Sequence, residues 1–341
     1  MINFRKRLWV FFGLFILSCQ SHNTSTIKVE KAFYYWKTNF KISKKENDFL
    51  KIHNLSKIYL RFFDVDYDFR ILKAVPKGKL IFSELPPFKS IIPTVFITNR
   101  VFENSNFESL DALVSQIHSS ILNMASKNNI VFKEIQIDCD WTIRTKKKYF
   151  YFLKRLKEKT LKTSATIRLH QIKYFEKTGV PPVDEGILML YNTGDWRDEK
   201  TKNSLFDAET IFGYLDNLSG YPLHLNIAFP IYQQVLVYRT GKFFVFLKEY
   251  DWNQLLNNKS FKIKPNSQVI CTENIILDGI SFRKDDVFKL EKAEFEELDF
   301  VKSEVFNKLH QKNTSIILFH LDEKSISQFT QLQISKIFSQ N

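Results

Sequence analysis

Two carboxylates stand two positions apart in the segment 135–141, IQIDCDW, a spacing that suits acid–base chemistry at the end of a β-strand. Strand side chains alternate, so Ile135, Ile137 and Cys139 share one face and Gln136, Asp138 and Asp140 the other. At a rise of about 3.3 Å per residue, the two carboxylates lie about 7 Å apart and can act on one substrate. Burying either one ionised costs on the order of several kcal/mol unless it is paired. The segment 165–170, ATIRLH, supplies a cation: Thr166, Arg168 and His170 alternate with apolar Ala165, Ile167 and Leu169. Arg168 is therefore expected beside Asp138. Asp138 would stabilise or orient, Asp140 would act as acid or base, and Arg168 and His170 would set their charge states. The same network can also serve only to hold a sheet together, because buried ion pairs have structural as well as catalytic uses.

Other polar and aromatic residues fall at the ends of apolar runs: Trp36, Asp64, Asp66, Asn99, Arg100, Trp141, Gln171, Tyr191, Asn192, Asn226, Tyr232 and His320. Carboxylates, His and Tyr supply acid, base and orienting groups, while Trp and Tyr rings stack on sugar faces. A carbohydrate is the ligand this collection suggests, bound and hydrolysed, or bound without turnover. Asp138, Asp140, His170 and His320 offer a third reading as carboxylate and imidazole ligands of a metal-dependent hydrolase, although no local spacing fixes such a set. The sequence holds no Gly-rich phosphate loop, no nucleophile elbow and no dinucleotide fingerprint, so no cofactor is expected.

These residues need a frame that brings strand ends together. Eight short β-rich runs recur, at 32–36, 58–63, 92–97, 135–140, 165–170, 187–191, 223–229 and 316–321. Helical spacing separates several of them. Leu110, Leu113, Val114, Ile117 and Ile121 fall on one helix face, as do Tyr149, Phe150, Leu153 and Leu156. A third set, Ile211, Phe212, Leu215 and Leu218, stops at Gly220, a fourth is Leu298, Val301, Val305 and Leu309, and 326–338 reads as a closing helix. Strands alternating with helices pair in parallel through right-handed crossovers. Eight units favour an α/β fold of the (β/α)8 TIM-barrel type over an open doubly wound sheet, and place the strand C-termini at one functional face. The interval 232–292 is too long for one helix and carries strand-like runs at 235–238, 243–247 and 269–271 with a turn at Thr240 and Gly241. It reads as a β-rich insertion between strands seven and eight.

Composition agrees with a folded chain: 341 residues, 44% hydrophobic, 34 Phe, and only 9 Gly and 9 Pro. The formal charge of +13 comes from lysines scattered along the chain, without a nucleic-acid-binding motif, so no nucleic-acid partner is expected. The N-terminus is more specific. Residues 1–7 are basic, 8–17 (LWVFFGLFIL) are apolar, and Ser18 and Cys19 follow. Ten apolar residues are too few to span about 30 Å of hydrocarbon, which identifies a secretion leader rather than a membrane helix. Ile16, Leu17, Ser18 and Cys19 resemble the lipobox of bacterial lipoproteins. That resemblance implies cleavage after residue 18, lipid on Cys19 and a membrane-anchored place in the bacterial cell envelope; by composition a polar tether then runs over 19–30, and the barrel occupies 31–341. Of the remaining cysteines, Cys139 lies in an apolar strand pattern and reads as a buried thiol, and pairing with Cys271 is left open.

The run from Gln136 to Trp141, then ATIRLHQ, then VPPVDEGILMLYN at 180–192, resembles an uncharacterised bacterial barrel family, domain of unknown function 3142, and is distantly similar to the chitinase-like glycosidases. In the glycosidase pattern D-x-x-D-x-D-x-E, Asp138 and Asp140 match the second and third Asp. Ile135 stands at the first, and Thr142 replaces the Glu that protonates the leaving oxygen. Hydrolysis along the family's route is thereby put in doubt. It would have to join Asp138 or Asp140 with a carboxylate from another strand, such as Asp64 or Asp66.

Overall fold

A computed structural model describes residues 27–247 and 250–340. The leader and Cys19 lie outside the described residues. Eight strands form the frame: β1 (Lys28–Tyr35), β2 (Lys57–Asp68), β3 (Ser90–Ile97), β4 (Glu134–Asp138), β5 (Lys162–Arg168), β6 (Glu185–Met189), β7 (Leu225–Pro230) and β8 (Asn313–Phe319). Each pairs in parallel with its sequence neighbours, and β1 pairs with both β2 and β8. That last pairing closes the ring and excludes the open sheet. All eight strand runs read from sequence overlap barrel strands.

Outward-facing aliphatic residues pack against the surrounding helices. The helix Phe107–Lys127 begins where the Asn106 side chain accepts the Ser109 amide, and it buries Leu110, Leu113, Val114, Ile117 and Ile121 as its spacing predicts. In the helix Lys146–Lys157 the buried face is Tyr149, Phe152, Leu153 and Leu156. Two expected helices are shorter than their patterns. The third set is helical only over Ala208–Phe212, and the C-terminal segment breaks into Glu323–Ile326 and Gln331–Ile337. Leu215 and Leu218 are nevertheless buried, because burial by neighbouring elements does not require the helix to continue.

The barrel interior is polar at its N-terminal end. Lys57 Nζ reaches Glu30 at 2.7 Å and Ser315 at 3.2 Å, while Lys162 Nζ bridges Glu134 at 3.1 Å and Glu185 at 2.9 Å. Above this layer the Tyr34 and Tyr59 rings meet at 5.2 Å and Thr94 donates to Gln136 at 3.1 Å.

Between β7 and β8 the chain builds a five-stranded antiparallel sheet in the order Lys242–Leu247, Gln233–Arg239, Val287–Lys292, Gln268–Cys271, Phe261–Lys264. Thr240 and Gly241 turn the first hairpin with positive φ of 50° and 74°. The sheet buries its own apolar cluster, including Val235, Val237, Val269, Phe282 and Phe288. Cys139 and Cys271 are both buried and free. Among the described residues, no helix is long and apolar enough to cross a membrane.

Candidate functional site

β4 ends on Asp138 with Asp140 two residues beyond it, and β5 ends on Arg168 beside them, but the partners differ from expectation. Arg168, at the end of β5, donates to Asp140 through Nε at 2.5 Å and Nη2 at 3.0 Å. Asp138 is held instead by the Thr166 hydroxyl at 2.8 Å. The expected Arg168–Asp138 pair is thus an Arg168–Asp140 pair, because a guanidinium at a strand end extends past the last rung and meets the carboxylate that continues beyond β4. Asp138 is 7% exposed, whereas the Asp140 side chain is 54% exposed.

This asymmetry sets the charges. Burial, with the negative field of Asp140 next, raises the Asp138 pKa to about 6, against the opposing pull of Arg168 and Thr166. Burial acts against the Arg168 charge, but Asp140 more than offsets it and holds the guanidinium firmly protonated. Among the described residues, Arg168 Nη1 and the Tyr191 hydroxyl are buried near this group with no hydrogen-bond partner.

His170 leaves the predicted inward face. β5 ends at Arg168 and a short helix, Leu169–Lys173, begins at once, so the alternation stops and His170 turns to the surface. Its pKa is lowered, by burial first and then by the Arg168 charge. Gln171 is fully buried, accepting the Arg168 amide at 2.8 Å and donating to the Trp141 carbonyl at 3.1 Å, which makes it a brace for the strand end rather than a ligand contact.

The remaining expected residues divide by position. Trp36, half-buried, packs on Tyr34 at 5.7 Å and Phe319 at 5.6 Å with Arg61 over its ring. Tyr191 and Tyr232 pack on the same Phe319 at 5.5 and 5.6 Å. Asp64 is held by Arg61, with Nε at 2.6 Å, and its charge contributes to the raised pKa of Asp138. Asp66 stands apart, bonded by Thr98, Lys77 and Arg100. His320 Nε2 is 3.1 Å from Asp322. Asn99 accepts the Thr145 hydroxyl at 2.6 Å. Two residues differ from their expected places. Trp141 is only 1% exposed, stacked on Tyr149 and edge-on to Phe150, so it is a wall and not an exposed platform. Asn226 is the second residue of β7 and donates to Glu185 at 2.8 Å in the N-terminal layer, at the opposite end of the barrel from the site. Its run begins two residues later than read from sequence, and this shifts it along the axis. Among the described residues, no group of three or more His, Cys, Asp or Glu is placed to hold a metal.

A cavity of about 480 Å³ opens beside the pair, lined by Asp140, Arg168, His170, Tyr191, Asn192, Trp196, Tyr214, Gln234 and Phe246 among others. Its size falls in the range of small-molecule sites, about 300–1,000 Å³. Asp138 does not line it. A second hollow of about 680 Å³ on the far side of His170 has Trp141, Ile143, Arg144, Tyr174 and Lys177 in its wall. Asn192 begins the loop after β6 in a left-handed conformation, φ 57°, with its amide bonded to the Leu205 carbonyl.

Sequence reasoning does not pick out Trp196, Tyr214, Gln234 or Phe246. They come from the loop after β6 and from the inserted sheet, which lock together: Trp196 packs on Phe243 at 4.5 Å and Phe246 at 5.1 Å, and Tyr238 donates to its carbonyl. Beneath them Lys289 and Glu291 form a buried pair at 3.0 Å, with Ser204 and Gln234 donating to Glu291 at 2.5 and 3.1 Å. The available signal is Trp196 itself, a Trp in a polar loop directly after a barrel strand.

No family model matches the chain, and no curated protein matches it. Solved structures do share its fold. The spore cortex-lytic enzyme SleL of Bacillus megaterium superposes with a TM-score of 0.50 at 13% identity, over 93% of this chain and 75% of that one. A chitinase of Chromobacterium violaceum gives 0.51 at 11% identity over 91% and 98%. A group IV chitinase of Ostrinia furnacalis gives 0.50 at 12% identity over 91% and 98%. The chain is similar to chitinase-like glycosidases in its (β/α)8 barrel fold.

Proposed function

We propose that this protein binds a carbohydrate in the cavity beside Asp140 and hydrolyses it, and that lipid on Cys19 holds it at a membrane of the bacterial envelope. The observation that carries the enzymatic reading is the asymmetry in burial and pairing of the two carboxylates, Asp138 enclosed with one hydroxyl partner and Asp140 open and gripped by Arg168. At near-neutral pH Asp138 is poised between its acid and its base form, while Asp140 is held by Arg168. Two carboxyl groups whose surroundings differ in this way can divide the roles of proton carrier and charge stabiliser. By charge state Asp138 is the better proton carrier, acting from behind the cavity wall, and Asp140, the one of the two that lines the cavity, is the better stabiliser or orienter, the reverse of the order suggested by sequence. Trp196 and Tyr214, both partly exposed, supply rings for sugar faces, and Asn192 and Gln234 supply polar contacts. The fold likeness to chitinases and to a cortex-lytic enzyme supports a glycan ligand.

Two observations favour a noncatalytic binder. Asp138 is almost sealed, and Thr142 stands where the glycosidase pattern has its acid. The two readings separate when the full chain, purified in detergent, is assayed for turnover and affinity on a glycan panel alongside Asp138→Asn and Asp140→Asn. Turnover lost in Asp138→Asn with affinity retained supports the enzyme. Affinity without turnover in the unaltered chain establishes the binder. The absence of both sinks the carbohydrate reading.

A further inference from the structure

We propose that the N-terminal face of the barrel, opposite the candidate site, lies against a bilayer carrying anionic headgroups, with Val131 and Leu161 dipping into it. This rests on the proposed lipid at Cys19 and adds an orientation to it.

Three observations meet at this face. Val131 and Leu161, in the loops that lead into β4 and β5, are 84% and 86% exposed, among the most exposed large apolar side chains described. With Leu122, Ile130 and Phe132 they border an apolar hollow of about 360 Å³. Because the two tips border one hollow with other apolar side chains they form a contiguous patch, the kind of surface that contact with a partner or a lipid covers.

The rim is cationic. Lys127, Lys133 and Lys159 are exposed around the two tips. The carboxylates at this end are already engaged: Glu158 by Arg155, Asp184 by Lys157, and Glu134 and Glu185 by Lys162. Aliphatic tips ringed by lysines suit the boundary between acyl chains and anionic phospholipid headgroups, and suit a neutral protein surface less well.

The third observation is reach. β1 starts at Lys28, so the N-terminal segment joins the barrel at this same end. From Cys19 to Ile27 there are eight residue steps, at most about 27 Å when fully extended. The eight-residue strand β1 rises about 26 Å from this end to the other mouth. A lipid on Cys19 can therefore bring the N-terminal face to the membrane directly, whereas reaching the opposite mouth would take up the whole extended tether along the barrel wall. The candidate site would then open away from the bilayer.

The test uses the full chain, isolated from host membranes and reconstituted in vesicles of phosphatidylcholine with or without phosphatidylglycerol, with a fraction of quencher-bearing lipid. An environment-sensitive dye is placed on Val131→Cys, Leu161→Cys or, on the hairpin rising from the other face, Ile71→Cys, which is 56% exposed. Cys139 and Cys271 are buried and do not compete for label. Quenching at 131 and 161 at least twofold above that at 71, strengthened by phosphatidylglycerol and weakened when Lys133→Glu and Lys159→Glu are added, is the expected result. Equal quenching at the three positions, or strongest quenching at 71, overturns the proposal. Acylation of Cys19 is read by mass spectrometry on the same sample. An acylated chain without quenching at 131 and 161 removes the face assignment and leaves the anchor, and quenching on an unacylated chain does the reverse. If both signals are missing, both readings fall.

Discussion

Arg168 grips Asp140 with two nitrogens and leaves Asp138, two residues back along the same strand end, with one hydroxyl from Thr166. One cation thus divides two neighbouring carboxylates into an open, paired member and a buried one that resists ionisation.

Asp140 contributes to the raised pKa of Asp138 through its negative charge, second only to burial. Asp140→Asn removes that charge and frees Arg168 to turn toward Asp138, so both effects move the Asp138 pKa down from about 6. Arg168→Met acts in the opposite direction. Titration of the carboxyl carbons by NMR reads both shifts, and an unchanged or raised Asp138 pKa in Asp140→Asn would contradict the arrangement.

The same group makes stability depend on pH. The folded-state pKa of about 6 lies above the ordinary carboxylate value, so the folded state binds the proton more tightly than the unfolded chain does. The contribution of Asp138 is fully present below about pH 4 and is lost as pH rises through 6, an effect of about 3 kcal/mol at 1.36 kcal/mol per unit. Asp138→Asn keeps an acceptor for Thr166 and cannot ionise. Its stability relative to the unaltered chain is therefore expected to improve from pH 4 to pH 8. Urea unfolding at the two pH values tests the sign.

Glu291 anchors the inserted sheet to the loop that carries Trp196 through Ser204, while Lys289 and Gln234 hold it from within the sheet. Glu291→Ala leaves a buried ammonium without its counter-charge and should destabilise by about 3–5 kcal/mol. Lys289→Met combined with Glu291→Leu should recover most of that loss, because an apolar pair avoids the desolvation of both ions. Thermal denaturation of the single and double variants gives the comparison, and a single variant as stable as the parent rules out the anchoring role.

Trp196 is partly exposed in the cavity wall and stacks on the insert rather than on the barrel. Trp196→Ala should weaken glycan binding about tenfold, the loss of one aromatic contact of about 1–1.5 kcal/mol. The melting temperature should fall by only a few degrees. Isothermal titration beside a melting curve distinguishes a binding ring from a purely structural one.

Much of the barrel is legible in the sequence because each strand carries its own apolar periodicity. The runs IQIDCD and ATIRLH announce both their strands and their inward polar faces, and the buried thiol of Cys139 follows from the same alternation. Legibility fails where alternation ends. His170 follows Arg168 by two residues, but a helix begins between them and leaves His170 at the rim of the cavity, off the inward face of the barrel. Trp141 looks like a binding platform by type and position, yet Tyr149 and Phe150 from the next helix close over it. Asn226 is displaced by the start of its strand and joins the ion pairs at the other end.

The sequence alone determined the eight strands, the inserted β-rich segment, and the nearness of Asp138, Asp140 and Arg168 at the ends of β4 and β5, since these depend on local periodicity and on the one closed arrangement that eight such units adopt. Tertiary structure decided which carboxylate Arg168 would hold, how deeply Asp138 would be buried, and which rings would line the cavity. Those outcomes depend on side-chain reach across strands and on loops meeting from distant parts of the chain, and neither leaves a repeating signature in the order of residues.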